Sequence, residues 1–188
     1  MHQAIGLIGR NGSGKSAVCD WFVTHGYQCV SLSDEVRRLA RADAQPLTRD
    51  TLSAIGTALK HAHGSAILAT RALEKWDKTG PVIFDSIRHP DEAAVLATAG
   101  VLLVGITAPL DLRYARIQAR HTERDAVSLA VFKAQDDHEF YGHSKGHNIQ
   151  ACLKLCQYTL DNTYTNLTDL YAFMAKIVPT WHQPMRGN

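Results

Sequence analysis

Residues Gly9-Arg10-Asn11-Gly12-Ser13-Gly14-Lys15-Ser16 fit G-x-x-x-x-G-K-[ST] at every fixed position. Ahead of them, Ala4-Ile5-Gly6-Leu7-Ile8 is a short apolar run that reads as a buried strand. After them, Ser16 to His25 reads as a helix stopped by Gly26. Strand, glycine loop and helix in that order commit the chain to a phosphate loop at the end of a buried strand. A polyphosphate is densely anionic, and wrapping it takes inward-pointing N–H groups. Glycines are needed wherever a Cβ would collide or φ must be positive. The helix that follows aims its positive end at the same point. Arg10, Asn11, Gly12, Ser13, Gly14, Lys15, Ser16 and Ala17 are therefore the expected nucleotide-binding residues. Lys15 is expected to reach the β- and γ-phosphates and Ser16 to ligate Mg²⁺.

The rest of the chain repeats the alternation. Tyr27 to Leu32, Pro81 to Phe84, Val101 to Ile106 and Tyr158 to Leu160 read as further strands. Helices are expected between them, one of them opening at Ser33-Asp34-Glu35 with Ser33 as N-cap. Two amphipathic helices, Thr48 to Ala62 and Ser65 to Lys78, form an insert. Strands that are apolar throughout imply a parallel sheet covered on both faces, hence an α/β fold of about five strands. With 188 residues, 45% of them hydrophobic, the chain suits a single domain over 1–178, and residues 179–188 read as a frayed tail.

Composition narrows the partners. Twenty Lys and Arg against 18 Asp and Glu give a net charge of +2, an excess that suits a phosphorylated ligand but gives no support to DNA as a partner. No apolar run approaches the roughly 18 residues a membrane span needs, and no signal peptide is evident, so a cytoplasmic protein without a membrane partner is expected. Cys19, Cys29, Cys152 and Cys156 form no CxxC pair and read as reduced thiols packed in the core. Oligomeric state is left open.

Other residues are placed to serve the loop. Asp85, at the end of Val82-Ile83-Phe84, is positioned like the acidic residue at a neighbouring strand tip that helps hold Mg²⁺. Asp34, just past the second strand, is a candidate to orient or deprotonate an acceptor hydroxyl; helix-start electrostatics would also place it there. Arg113, Arg116 and Arg120 are spaced three and four apart along one side of a helix, with His121 and Arg124 beyond them. Arg116 and Arg120 are candidates to neutralise a transferring phosphoryl group; Arg113 is the weaker one. Arg37, Arg38, Arg49, Arg71 and Arg88 are the acceptor-phosphate candidates, with Arg88 just beyond a strand tip, because guanidinium forks suit bidentate contacts. His143, Lys145 and His147 read as a solvated loop.

These residues resemble the P-loop kinases of the nucleoside monophosphate kinase and dephospho-CoA kinase group. Val30-Ser31-Leu32-Ser33-Asp34 resembles a strand that ends D-A-D in that group, with Leu32 in place of the first Asp. In the family the position of Asp34 carries the presumed catalytic carboxylate. Ile106 to Arg120 resembles its lid-entry helix, and Leu160-Asp161-Asn162 its late strand ending near the base. Pro46 to Asp50, Phe84 to Glu92, Asp137-His138-Glu139 and Gly146-His147-Asn148 are similar to stretches of small nucleotide-kinase-like relatives. The resemblance implies a three-layer P-loop kinase fold. It also implies an acceptor-binding insert over about 44–79 and an arginine-bearing lid over about 113–147. The implied activity is transfer of the γ-phosphoryl of ATP, with Mg²⁺, to a nucleotide-like acceptor. That acceptor would be a (deoxy)nucleoside monophosphate or modified pyrimidine nucleotide, or else dephospho-CoA or a base in DNA. The implied catalytic residues are Lys15, Asp34, Arg116 and Arg120. A Ras-like nucleotide switch is the contrasting reading. It needs an N-K-x-D base reader, and Asn166-Leu167-Thr168-Asp169 lacks the Lys.

Overall fold

The computed structural model describes residues 3–120, 127–142 and 147–182, with the side chains of Arg49 and His182 also outside that description. Five parallel strands form one sheet: β1 (Ala4–Ile8), β2 (Gln28–Ser31), β3 (Val82–Asp85), β4 (Leu102–Thr107) and β5 (Tyr158–Asp161). Their order is β2-β3-β1-β4-β5. β1 thus lies between β3 and β4, while the strand that follows it in sequence lies beyond β3. The chain reverses its direction of winding at β1, and a crevice opens there at the strands' C-terminal ends. Register brings Gly6 beside Phe84 on one side and Leu103 on the other, and Ser31 beside Asp85 at the edge.

β1 shows why an unbroken apolar run is needed. Ala4 and Ile8 join a core on one face with Leu32, Phe84, Ile87, Leu96 and Leu103. Ile5 and Leu7 join a core on the other face with Val18, Phe22, Ile106, Leu170 and Met174. Alternate side chains of a strand point to opposite faces, and here both faces are dry. The first core is covered by α2 (Leu32–Ala42), α4 (Ile67–Lys75), α5 (Pro90–Thr98) and α8 (Ile149–Leu153); the second is covered by α1 (Lys15–Thr24) and α9 (Leu167–Ile177). Helices α3 (Arg49–His63), α6 (Leu110–Gln118) and α7 (Leu129–Tyr141) complete the chain.

Several boundaries differ from expectation. Helix α2 starts at Leu32, with Ser31 rather than Ser33 in the cap position and no side-chain cap bond. Ser31 Oγ instead donates to Ser86 Oγ at 3.0 Å, and burial of Leu32 at 1% exposure pulls the helix start inward. Residues 179–182, expected to open a frayed tail, continue the fold instead. A 3₁₀ turn spans Val178–His182, and Trp181 is 4% exposed against Phe22 and Tyr158. Cys29 is exposed, unlike the buried Cys19 and Cys152, so it is not a core thiol. Among the described residues no helix is long and apolar enough to cross a membrane.

The insert is tied to the sheet by a buried carboxylate. Glu35 on α2 is 6% exposed and accepts from Arg38 at 2.9 and 3.1 Å, from Arg71 at 2.8 Å and from Lys75 at 2.5 Å. Arg71 and Lys75 lie on α4, so one carboxylate fastens α2 to the second insert helix. These donors, Arg38 foremost, outweigh desolvation and hold the Glu35 carboxyl well below its ordinary value of 4.5. A depressed folded-state pKa stabilises the fold above the unfolded value, and that stability is lost as pH falls. Glu35→Gln should therefore cost about 3 kcal/mol at neutral pH. The wild-type advantage should shrink as pH drops below about 4.5, as read by urea denaturation of both proteins from pH 7 to pH 3.

Candidate functional site

The loop between β1 and α1 is shaped by close approaches. A Cβ on Gly9 would meet the Ile106 carbonyl oxygen at 2.4 Å, and one on Gly12 would meet that of Arg113 at 2.5 Å. Gly12 and Gly14 have φ of 76° and 94°, a left-handed backbone that L side chains rarely adopt. Gly14 is the N-cap of α1, with no side-chain cap bond and no acidic residue in the first turn. The helix start is thus left with free donors and an uncompensated positive end, an arrangement that favours an anion.

The loop's outer carbonyls are all engaged. Arg113 donates to Asn11 O at 3.0 Å. Arg116 donates to Gly12 O and Ser13 O, each at 3.3 Å, to Asn162 O at 3.0 Å and to Tyr164 O at 2.6 Å. Asn162 Nδ2 donates to Ser13 O at 2.9 Å. In a trans peptide the N–H points opposite the preceding C=O, so these contacts turn the N–H groups of Gly12 and Gly14 the other way. Inside the loop, Lys15 Nζ donates to Gly9 O at 2.7 Å and Arg10 O at 3.3 Å. Burial pushes its ammonium down to about 8 from an ordinary 10.5. Arg88 and Arg120 push the same way, while Asp85 and Glu139 oppose it. Lys15, Asp85, Arg88, Arg120 and Glu139 therefore share one electrostatic neighbourhood.

Asp85 and Ser16 are the residues that fit a divalent cation. Asp85 Oδ1 is buried with no hydrogen-bond partner among the described residues, and Oδ2 accepts from Ser86 Oγ at 3.2 Å. Ser86 itself is held at φ 66°, strain of the kind that gathers at functional turns. Ser16 is exposed in the first turn of α1. A carboxylate oxygen left bare beside a phosphate loop matches the hard oxygen donors Mg²⁺ takes.

The remaining candidates divide. Arg88 sits at the β3 end, its backbone fixed by Glu92, whose Oε2 accepts from the N–H groups of Arg88 and His89 at 2.9 and 3.0 Å. Asp34 is exposed in the first turn of α2 and pairs with Arg37 at 2.7 Å. It is thus already matched to one of the acceptor candidates. Arg120 is exposed near Lys15. Arg49 opens α3 at the insert, but its side chain, like residues His121, Arg124, His143, Lys145 and Gly146, lies outside the described residues. Arg113 is a structural member, 3% exposed and paired with Asp136 at 2.8 Å. It packs α6 against the loop, so this end of the expected lid is part of the core.

Sequence reasoning missed Asp136, and it grouped Asp137 only by resemblance. Arg10 pairs with both, at 2.5 Å for Asp137, and stacks over Phe140 at 4.2 Å. Its side chain therefore faces α7, whereas its carbonyl faces Lys15. No local spacing signals a pair separated by well over a hundred residues. Asn166-Leu167-Thr168-Asp169 proves to be a helix cap, with Asn166 Oδ1 accepting from Asp169 N at 2.9 Å.

Comparison with known proteins agrees with this geometry. A model of the AAA domain family matches residues 5–139. A UPF0200 protein of Hyperthermus butylicus is 29% identical over 165 residues, 86% of each chain. One from Thermococcus onnurineus is 28% identical over 138 residues, covering 69% of this chain and 75% of its own. Among solved structures, shikimate kinase from Acinetobacter baumannii in complex with shikimate superposes with TM-score 0.60 at 13% identity, over 97% of this chain and 96% of its own. The structure of TT1252 from Thermus thermophilus does so with TM-score 0.57 at 20% identity, over 98% and 100%. At such identities the two structures speak to the fold alone, which is that of the P-loop kinases. The loop, the sheet order and the matched span together make this chain a member of the AAA domain family of P-loop NTPases.

Proposed function

We propose that the protein is an ATP- and Mg²⁺-dependent kinase that transfers the γ-phosphoryl group to a nucleotide-like acceptor. The acceptor favoured is a (deoxy)nucleoside monophosphate or a modified pyrimidine nucleotide. The observation that carries this reading is the pairing of a complete phosphate loop, with Lys15 Nζ inside it, and a bare carboxylate oxygen on Asp85 beside it. A kinase-like sheet order and two basic side chains, Arg88 and Arg120, around the same point support transfer over simple binding.

Each residue has a stated task. Backbone amides of Gly12 to Ser16 hold the phosphates, and Lys15 leaves Gly9 O and Arg10 O to bridge the β- and γ-oxygens. Ser16 and Asp85 would hold Mg²⁺, which supplies charge neutralisation across the two phosphates. Arg120 neutralises the transferring group, and Arg116 keeps the loop in shape from below. Asp34, released from Arg37 as that arginine turns to the acceptor phosphate, orients the attacking oxygen. Arg88 and Arg49 complete the acceptor side.

Two measurements test the reading. ADP release should appear with one member of a panel of dNMPs, NMPs, dephospho-CoA, shikimate and DNA containing modified pyrimidines. Lys15→Ala should remove it, and Asp85→Asn should lower kcat by about 10²-fold or more. ATP turnover that no acceptor stimulates would instead mark a nucleotide-driven switch. The second measurement concerns protons. An ammonium that titrates near 8 in the free protein rises again beside a triphosphate, so binding at pH 8.5 to 9 should take up a proton. Isothermal titration in buffers of different ionisation enthalpy should show this uptake fading below pH 7, where Lys15 is already charged, and absent in Lys15→Met.

A further inference from the structure

We propose that Cys19 and Cys29 are a reversible dithiol–disulfide pair, a redox modification site that joins the phosphate-loop helix to the edge strand of the sheet. The inference is independent of what the loop's nucleotide is used for. Cys19 lies in the middle of α1, 6% exposed, four residues after Lys15. Cys29 lies on β2, at the edge of the sheet, and is exposed. Their sulfurs face each other at 2.7 Å. A disulfide needs about 2.05 Å, so the two sulfurs already lie near bonding distance.

The pair is also divided in the way exchange requires. Cys19 donates its S–H to Cys29, and that bond holds the Cys29 thiol below its ordinary value and the Cys19 thiol far above. Partial desolvation and the negative charges of Asp85, Asp34 and Asp20 oppose the drop at Cys29 without reversing it. The accessible sulfur is thus the better nucleophile, and the buried one is the resolving partner. The other two cysteines give an internal contrast. Burial pushes both Cys152 and Cys156 up to about 12, so neither is a competent thiolate at neutral pH.

The oxidant is a low-molecular-weight disulfide. Cys29 thiolate attacks one of its sulfurs, forming a mixed disulfide and releasing one thiolate. The mixed disulfide consumes the Cys29 charge that had held the Cys19 proton, so Cys19 then loses that proton to solvent and attacks Cys29 Sγ, expelling the second thiolate. Two protein thiols are oxidised and one small disulfide is reduced to two thiols. The resulting bridge fastens α1, which presents Lys15 and Ser16, to the strand that leads directly into Asp34.

The test uses the full chain, oxidised glutathione at neutral pH, and peptide mapping after rapid acid quench. The expected product has lost two hydrogens, gives a Cys19–Cys29 cross-linked peptide, retains free Cys152 and Cys156, and returns to the dithiol with dithiothreitol. Cys19→Ser should stop at a stable glutathione adduct on Cys29, and Cys29→Ser should give neither adduct nor cross-link. Phenylarsine oxide, which bridges adjacent thiols, should bind the native wild-type chain once and neither variant; this readout and the wild-type map stand even where the buried Cys19→Ser substitution impairs folding. A wild-type chain that accumulates the Cys29 adduct without closing, cross-links through Cys152 or Cys156 at a comparable rate, or fails to bind the arsenical overturns the proposal.

Discussion

The structure depends on where the peptide planes of the glycine loop point. A carbonyl and the N–H that follows it face opposite ways, so fixing one fixes the other. Three consecutive carbonyls, of Asn11, Gly12 and Ser13, are fixed by Arg113, Arg116 and Asn162. Those three side chains come from α6 and from the end of β5, far from the loop in sequence. The sheet order brings them in: β4 and β5 follow one another on one side of β1, and the segments that leave them pass behind the loop. The fold is therefore the scaffold of the loop's conformation as well as of its position.

The same arrangement explains which glycines are indispensable. Space at Gly9 is filled by Ile106 O, and at Gly14 by Asn162 Nδ2 at 2.1 Å from where a Cβ would stand. Backbone packing and side-chain bracing together leave no room, so the loop trades conformational freedom for a preformed anion site. Lys15 bears part of the cost, since its ammonium is buried before any ligand arrives.

Much of this was legible in the sequence because its signals are local. The β1–loop–α1 unit, the apolar strands and Asp85 at a strand tip each announce themselves within a few residues. What escaped were partnerships across long separations. Arg113 looked like one of three lid arginines on a common face, but only its pairing with Asp136 reveals that it is interior. Glu35 looked like part of a helix opening, whereas two of the basic residues that hold it come from α4. Ser33 had the right chemistry for a cap, yet burial of Leu32 decided where the helix began. Trp181 followed a proline near the chain's end and read as tail, although an aromatic niche against Phe22 and Tyr158 was waiting for it.

Arg10 gives the loop a mechanical connection that a bare glycine sequence would lack. Its guanidinium is held by Asp136 and Asp137 over the ring of Phe140, while its own carbonyl receives Lys15. Helix α7 and the anion site are thus two ends of one lever. One residue therefore joins the surface of α7 to the interior of the loop, with its side chain on the helix and its carbonyl on the lysine, and no strand of the sheet lies between them in that path.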